Sequence, residues 1–257
     1  MMKERTEMEY KISKRKKKYS DHITYIKYEL KFYADLKNRL NEMEKENSSA
    51  ILFNHEKRIH FLFRRSIPKF KDELHLWFAH FQFCIDSENF PILESSISNF
   101  VRLHFSQPKI WVESAHWYNK VESDMAKKLI EKGLSVHPTS IKILKAYLDQ
   151  LVQYGSLDLT EIIDIYHDYL NKTNHSSRFF KPAFATLADK FERSKIIDLL
   201  VKSHNFHCPP EYSLFIVSHL CEFSHAESIT FSKMLLNTNS AFAIQLVDIL
   251  VQHKDNL

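Results

Sequence analysis

The sequence predicts an all-α protein: an α-solenoid of antiparallel helix pairs with a helical C-terminal cap. A sequence pattern recurs along the chain, and each copy begins with a large residue, here called its head. The heads Trp77 and Trp111 stand 34 residues apart, and Leu144 follows 33 residues later. A repeat of this length, filled by two helices, buries its apolar face only by stacking on its neighbours. The 257 residues also include two glycines, Gly133 and Gly155, far below the usual share of about 7%.

The scarcity of glycine excludes whole classes of nucleotide-binding enzyme. Gly133 and Gly155 lie 22 residues apart, so the chain contains neither GxGxxG nor GxxxxGK, the phosphate loops of Rossmann and P-loop folds. No glycine-flanked turn exposes a nucleophile. Acidic pairs such as Asp164 and Asp168 stand one helical turn apart, as on any charged helix surface. We predict that the protein is not an enzyme and that it uses no cofactor.

Aromatic residues follow the pattern heads at helical spacing. An earlier copy of the pattern begins at His22, and the copy headed by Leu144 completes the series. Exposed rings could stack on nucleic-acid bases. These aromatic residues share their helical spacing with isoleucine and leucine, however, which favours burial of the rings between paired helices. We therefore assign these rings to the repeat core: Tyr25, Tyr28, Trp77, Phe81, Phe83, Trp111, Trp117 and Tyr147.

Apolar residues three and four positions apart predict the helices in order. A helical segment over 5–18 leads into a helix over 21–40, which Ser20 or Asp21 caps, and Pro68 ends the next helix, 50–67. Pairs then follow at 73–86 with 90–105, 109–119 with 122–135, and 139–153 with 158–171. The remaining predicted helices are 179–203, 210–222, 226–236 and 239–253.

The strength of the repeat pattern divides the chain into three predicted regions. Residues 1–20 form a basic N-terminal helical segment, and residues 21–171 hold the helical repeats, about four helix pairs. Beyond residue 171 no large head residue recurs at the right distance. Residues 172–257 are therefore either degenerate repeats or a cap that covers the last repeat.

The formal charge of +4 is concentrated near the N-terminus. An unbroken basic run consists of Lys14, Arg15, Lys16, Lys17 and Lys18. Five adjacent cations on a helix cannot all face one way, so several must point into solvent or toward phosphate. The run is a candidate contact for RNA or for an import receptor, and the alternative is a solvated helix end.

The cysteines and histidines do not predict a metal site or a disulfide framework. Three cysteines, an odd number at wide spacing, indicate reduced intracellular thiols. The densest group of possible ligands comprises His204, His207, Cys208, His219, Cys221 and His225. Zinc fingers space their ligands in tight pairs, which this group lacks. We interpret its members as helix-surface histidines and core thiols.

The sequence also argues against membrane attachment. The N-terminus is charged and lacks the apolar stretch of a secretory signal. No window approaches 18 apolar residues free of charge, as a membrane span requires.

Several segments resemble one family of half-a-TPR (HAT) repeat proteins. These segments are Arg5–Arg15 followed by Asp21–Glu29, Leu76-Trp77 with Phe83-Cys84, Gln107–Trp111 with Ala115–Trp117, and Leu134–Pro138. They resemble the HAT-repeat subunit of the UTP-B subcomplex of the small-subunit processome, the U-three small nucleolar RNA-associated protein six family. The family usually carries a glutamate seven residues after the head, which is matched here by Glu29 alone. We interpret the chain as a shortened, divergent member.

The resemblance implies a nucleolar, non-catalytic scaffold in the maturation of small-subunit ribosomal RNA. Its implied partners are other UTP-B and processome proteins, and a ribonucleoprotein of small nucleolar RNA and pre-ribosomal RNA. It implies neither a membrane nor a small-molecule ligand. Two alternatives stay open: a HAT or TPR scaffold of another RNA-processing complex, for splicing or RNA 3′-end cleavage, or a helical-repeat protein that binds RNA directly.

Overall fold

The computed structural model of the chain is helical throughout the part that it describes. It describes residues 2–42, 48–155, 158–174, 176–202, 210–223, 225–238 and 243–254, and these residues contain no β-strand. The predicted all-α helical-repeat fold is confirmed. None of the described helices combines the length and apolar composition that crossing a bilayer requires.

The chain forms two compact units, and the first is Met1–Phe105. Its helices are α1 (Met2–Ser13), α2 (Tyr19–Glu42), α3 (Ser48–Ser66), α4 (Leu74–Asp86) and α5 (Phe90–His104), with a short 3-10 turn at Ile67–Lys69. Each of these helices packs on the next. The apolar faces of α4 and α5 meet around Phe100, whose ring centroid lies 5.2 Å from that of Trp77 and 5.6 Å from that of Phe81.

The second unit, Ser106–Leu257, shows the repeat architecture most clearly. Its helices are α6 (Pro108–Asn119), α7 (Ser123–Val136), α8 (Ile141–Tyr154), α9 (Leu159–Lys172), α10 (Ser177–Lys190), α11 (Arg193–Lys202), α12 (Pro210–Phe223), α13 (His225–Thr238) and α14 (Ala243–Lys254). The first helices of successive pairs lie side by side in the order α6, α8, α10, α12 and α14, and α9 packs on α11. One cluster of buried apolar side chains runs from Leu144 to Leu246.

Short connections between the helices fix this pairing. Pro108 begins α6, and Pro91 lies in the first turn of α5, where the missing N–H costs nothing. Gly155 ends α8 by donating its N–H to the carbonyl of Leu151. A Cβ at this position would lie 2.3 Å from that carbonyl oxygen, so the close approach requires glycine.

Most predicted helices are present, but the prediction of one helix over 179–203 is wrong. The chain forms α10 and α11 there, separated at Phe191 and Glu192. Phe191 has an extended backbone (φ −117°, ψ 155°) and gives its N–H to the carbonyl of Leu187, which closes α10. The carboxylate of Glu192 then accepts a hydrogen bond from Ser194 at 2.8 Å, at the start of α11. The predicted domain boundaries at residues 20 and 171 stay a prediction.

Candidate nucleic-acid interface

A buried carboxylate holds the N-terminal helix in place. The Glu29 side chain, on α2, is fully buried. Arg5 of α1 donates from Nη2 to Glu29 Oε2 at 2.8 Å, and Arg58 of α3 places Nε 3.2 Å from Glu29 Oε1. Arg58 also donates from Nη2 to the hydroxyl of Tyr25. One glutamate on α2 thus binds arginines from both neighbouring helices, and paired in this way its charge can remain buried.

A second layer of polar contacts lies nearer the surface. Arg65, close to the end of α3, donates to Glu9 Oε2 at 2.7 Å and to Ser13 Oγ at 3.0 Å. Tyr28 of α2 donates to Glu4 of α1 at 3.0 Å. These contacts place the end of α1 beside the end of α3, and so position the basic residues that follow α1.

The predicted helical conformation of the basic run is wrong. Helix α1 ends at Ser13, and Lys14–Lys18, the basic turn, connects it to α2. Lys17 explains part of this geometry, because its ammonium group lies 3.3 Å from the carbonyl oxygen of Ile12 and 3.4 Å from that of Ser13. The last carbonyls of a helix lack partners within the helix, and a cation there is also stabilised by the negative end of the helix dipole.

All five side chains of the basic turn are exposed. Lys14 lies over the ring of Tyr10, with 5.2 Å between Nζ and the ring centroid. Arg15, Lys16 and Lys18 form no ion pair with any residue in the described part of the chain. Their charges therefore face solvent, where a phosphate backbone could neutralise them.

Further cations extend the positive field beyond the turn. Burial lowers the pKa of Lys69, in the 3-10 turn, and the nearby charges of Lys17 and Arg65 lower it further. Burial also lowers the pKa of His22 to about 4, with Lys69, Arg65 and Lys17 acting in the same direction. We define the basic surface as the basic turn together with Arg65 and Lys69.

The eight aromatic residues assigned to the repeat core lie at two depths. Buried rings belong to Tyr25, Trp77, Phe81, Phe83 and Trp111, and half-buried rings to Tyr28, Trp117 and Tyr147. The head residues His22 and Leu144 are buried as well. A buried ring presents no face to a base, so the five buried rings pack between helices.

The sequence-derived group of possible zinc ligands is only partly described. His204, His207 and Cys208 lie outside the described residues. Cys221 is a buried free thiol in α12, and the ring of His219 stacks on Phe184 at a centroid distance of 4.7 Å. His219 and Cys221 thus have packing roles, and the side chain of His225, the first residue of α13, lies outside the described part of the chain.

Comparison with known proteins bears on the same N-terminal region. Residues 1–60 match the family model described as U3 small nucleolar RNA-associated protein 6. The predicted family resemblance is confirmed. The matched residues include α1, the basic turn, α2 and most of α3, together with Glu29 and both of its arginine partners.

Two curated relatives extend the match beyond this region. The human "U3 small nucleolar RNA-associated protein 6 homolog" is 27% identical over 156 residues, which cover 57% of this chain and 25% of the human protein. The mouse homolog is 25% identical over 150 residues, with the same coverage of 57% and 25%. The aligned chain therefore spans about a quarter of the length of these relatives.

Sequence reasoning identified the basic turn but missed what positions it. Arg5 and Glu29 are 24 residues apart, and Glu9 and Arg65 are 56 apart, so no local pattern pairs them. The family resemblance did single out Glu29, without indicating its partners. No sequence pattern marks Lys69 as part of the basic surface, because it joins that surface only through the packing of the end of α3 beside the end of α1.

Proposed function

We propose that the protein is a non-catalytic scaffold in ribosome biogenesis, acting in the maturation of small-subunit ribosomal RNA within the nucleolus. The observation that carries this proposal is the family match over residues 1–60. The relatives' names associate those proteins with U3 small nucleolar RNA. Stacked helix pairs suit the role, because a solenoid offers an extended surface to partners.

The proposed partners are of two kinds. Helical faces dock other protein subunits, among them UTP-B components of the small-subunit processome. The basic surface contacts RNA phosphates in the ribonucleoprotein of small nucleolar RNA and pre-ribosomal RNA. Its three cations without a described ion-pair partner, Arg15, Lys16 and Lys18, favour this second contact. Any such contact would weaken as salt rises, because bound phosphates release counterions.

Affinity purification of the tagged full chain from its own cells, with and without ribonuclease, tests the scaffold role. We expect small-subunit processome proteins to be recovered in both samples, because protein interfaces survive removal of RNA. Recovery of splicing or 3′-end cleavage factors instead would support a scaffold of another RNA-processing complex. Loss of every protein partner after ribonuclease treatment would favour a protein held by RNA alone.

A further inference from the structure

Two histidines and a cysteine meet in the interior of the first unit. His60 lies on α3, and His80 and Cys84 lie one turn apart on α4. All three are buried, and one ligand atom from each lies within 4.8 Å of the other two. Neither the repeat fold nor the basic surface accounts for this group.

We propose that His60, His80 and Cys84 form a zinc site that joins α3 to α4. Two imidazole nitrogens and one thiolate are a borderline-soft ligand set, which Zn²⁺ favours over the hard cations Mg²⁺ and Ca²⁺. Three protein ligands leave a fourth position for water.

The distance between the two imidazoles fits coordination of one ion. His60 Nδ1 lies 3.1 Å from His80 Nε2. Two nitrogens bound tetrahedrally at about 2.0–2.1 Å from zinc stand about 3.3 Å apart. The ion would therefore replace the hydrogen bond between these rings with only a small separation of α3 from α4. Cys84 reaches the same ion from the next turn after His80.

The polar surroundings of His80 also suit a metal. His80 Nδ1 lies 3.0 Å from the buried hydroxyl of Ser96 on α5, and ligating histidines usually hold their second nitrogen in such a bond. Binding through Nδ1 leaves His60 Nε2 as it is, buried with no hydrogen-bond partner among the described residues.

A cleft of about 410 Å³ reaches His80, one of the three proposed ligands. His80 and Ser96 line it, together with Arg64, Lys71 and Arg102. Binding converts the Cys84 thiol to a thiolate and releases one proton per Zn²⁺. The thiolate offsets one of the two charges of the ion, which reduces repulsion from the three nearby cations.

Cobalt substitution tests the site in the full chain. After treatment with a chelator, Co²⁺ is titrated into the wild-type protein and into Cys84→Ser, His60→Gln and Cys221→Ser. We expect one tightly bound Co²⁺ with a thiolate-to-cobalt charge-transfer band, displaced by stoichiometric Zn²⁺. Cys84→Ser should abolish the band, His60→Gln should weaken binding at least tenfold, and Cys221→Ser, which removes another buried thiol, should bind like wild type.

X-ray absorption on the zinc-loaded wild-type chain keeps the test independent of variant folding. One sulfur at about 2.3 Å and nitrogen or oxygen ligands at about 2.0 Å would support the site. A zinc shell without sulfur, no cobalt band in the wild-type chain, or a band that Cys84→Ser leaves unchanged would each overturn it.

Discussion

Arg5 Nη2 in α1 lies 2.8 Å from Glu29 Oε2 in α2, and this contact joins residues that are 24 positions apart. Arg58 approaches the other oxygen of the same carboxylate from α3. Glu29 of α2 is therefore the common partner of α1 and α3 within the residues that match the family model. The position of the basic turn depends on it, because the turn begins where α1 ends.

Replacing Glu29 with glutamine should destabilise the first unit. The substitution keeps the shape of the side chain but leaves Arg5 and Arg58 without their anion, at a cost of about 2–3 kcal/mol. Urea unfolding followed by circular dichroism measures this loss. Glu7→Gln is the matched control, because Glu7 forms an exposed pair with Lys11 on α1, and the loss of such a pair should change stability far less. Equal stability of the two variants would show that Glu29 does not anchor α1.

Neutralising the basic turn should reduce both the affinity for single-stranded RNA and its dependence on salt. Lys14, Arg15, Lys16 and Lys18 are changed to glutamine, and Lys17 is kept because it bonds to the end of α1. If all four bind phosphate, the slope of log affinity against log salt falls in magnitude by about 3. Fluorescence anisotropy at several salt concentrations measures the slope.

A charge-matched variant separates this contact from the effect of net charge. This variant changes four exposed lysines of the second unit: Lys109, Lys128, Lys132 and Lys142. Their change to glutamine removes the same charge and should leave the slope nearly unchanged. Similar slopes for both variants would mean that RNA responds to overall charge and not to the basic turn.

His22 should make stability fall in mild acid. His22 Nδ1 donates to Ser66 Oγ at 2.8 Å, because the Ser66 hydroxyl itself donates to the carbonyl of Leu62 at 2.7 Å. The pKa of His22 is lowered to about 4, against about 6.5 in an unfolded chain. Between these values the unfolded chain takes up a proton that the folded chain does not, so the free energy of unfolding decreases as pH falls from 6.5 to 4.

Comparison with His22→Gln isolates this effect from other titrating groups. The difference in unfolding free energy between wild type and His22→Gln should shrink as pH falls from 7 to 4, because only wild type loses stability through this residue. Chemical denaturation at several pH values measures it. His75→Gln, which changes an exposed histidine of α4, controls for the loss of a histidine elsewhere in the first unit. A difference for His22→Gln that stays constant over this pH range would contradict the prediction.

Enlarging Gly133 should disrupt the α6–α7 pair. A Cβ at Gly133 would lie 3.2 Å from three side-chain atoms of Trp111, so the branched side chain of Gly133→Val has no room beside the indole. We expect a loss of about 1–3 kcal/mol and a change in tryptophan fluorescence. Lys132→Val, one position earlier and exposed, should cost about 0.5 kcal/mol from helix propensity. A fully stable Gly133→Val would show that the indole moves aside freely.

Local sequence patterns were sufficient to predict the helix pairs. Apolar residues three and four apart define one face per helix, and the heads of that pattern, such as Trp77 and Leu144, are buried. The break at Phe191 was missed because the apolar pattern continues across it. The basic turn was misassigned because Lys17 bonds to carbonyls of α1, a choice that composition does not encode.

The side-chain groups that join separate helices could not be predicted in the same way. His60 and His80 come from different helices and are 20 residues apart, so their meeting depends on how α3 packs on α4. In the sequence, the densest group of possible metal ligands is a different one, over residues 204–225. Partners across helices are fixed by the packing angle and register, which a single sequence does not provide.

The side-by-side order of α6, α8, α10, α12 and α14 has a consequence for how the second unit opens. Helix α8 packs on α6, α7, α9 and α10, whereas α14 packs mainly on α12 and α13. Breathing motions should therefore release α14 at a lower free energy than α8, as expected when each repeat is held by its neighbours. Amide hydrogens of α14 would then exchange with solvent before those of α8, as successive steps and not one cooperative event.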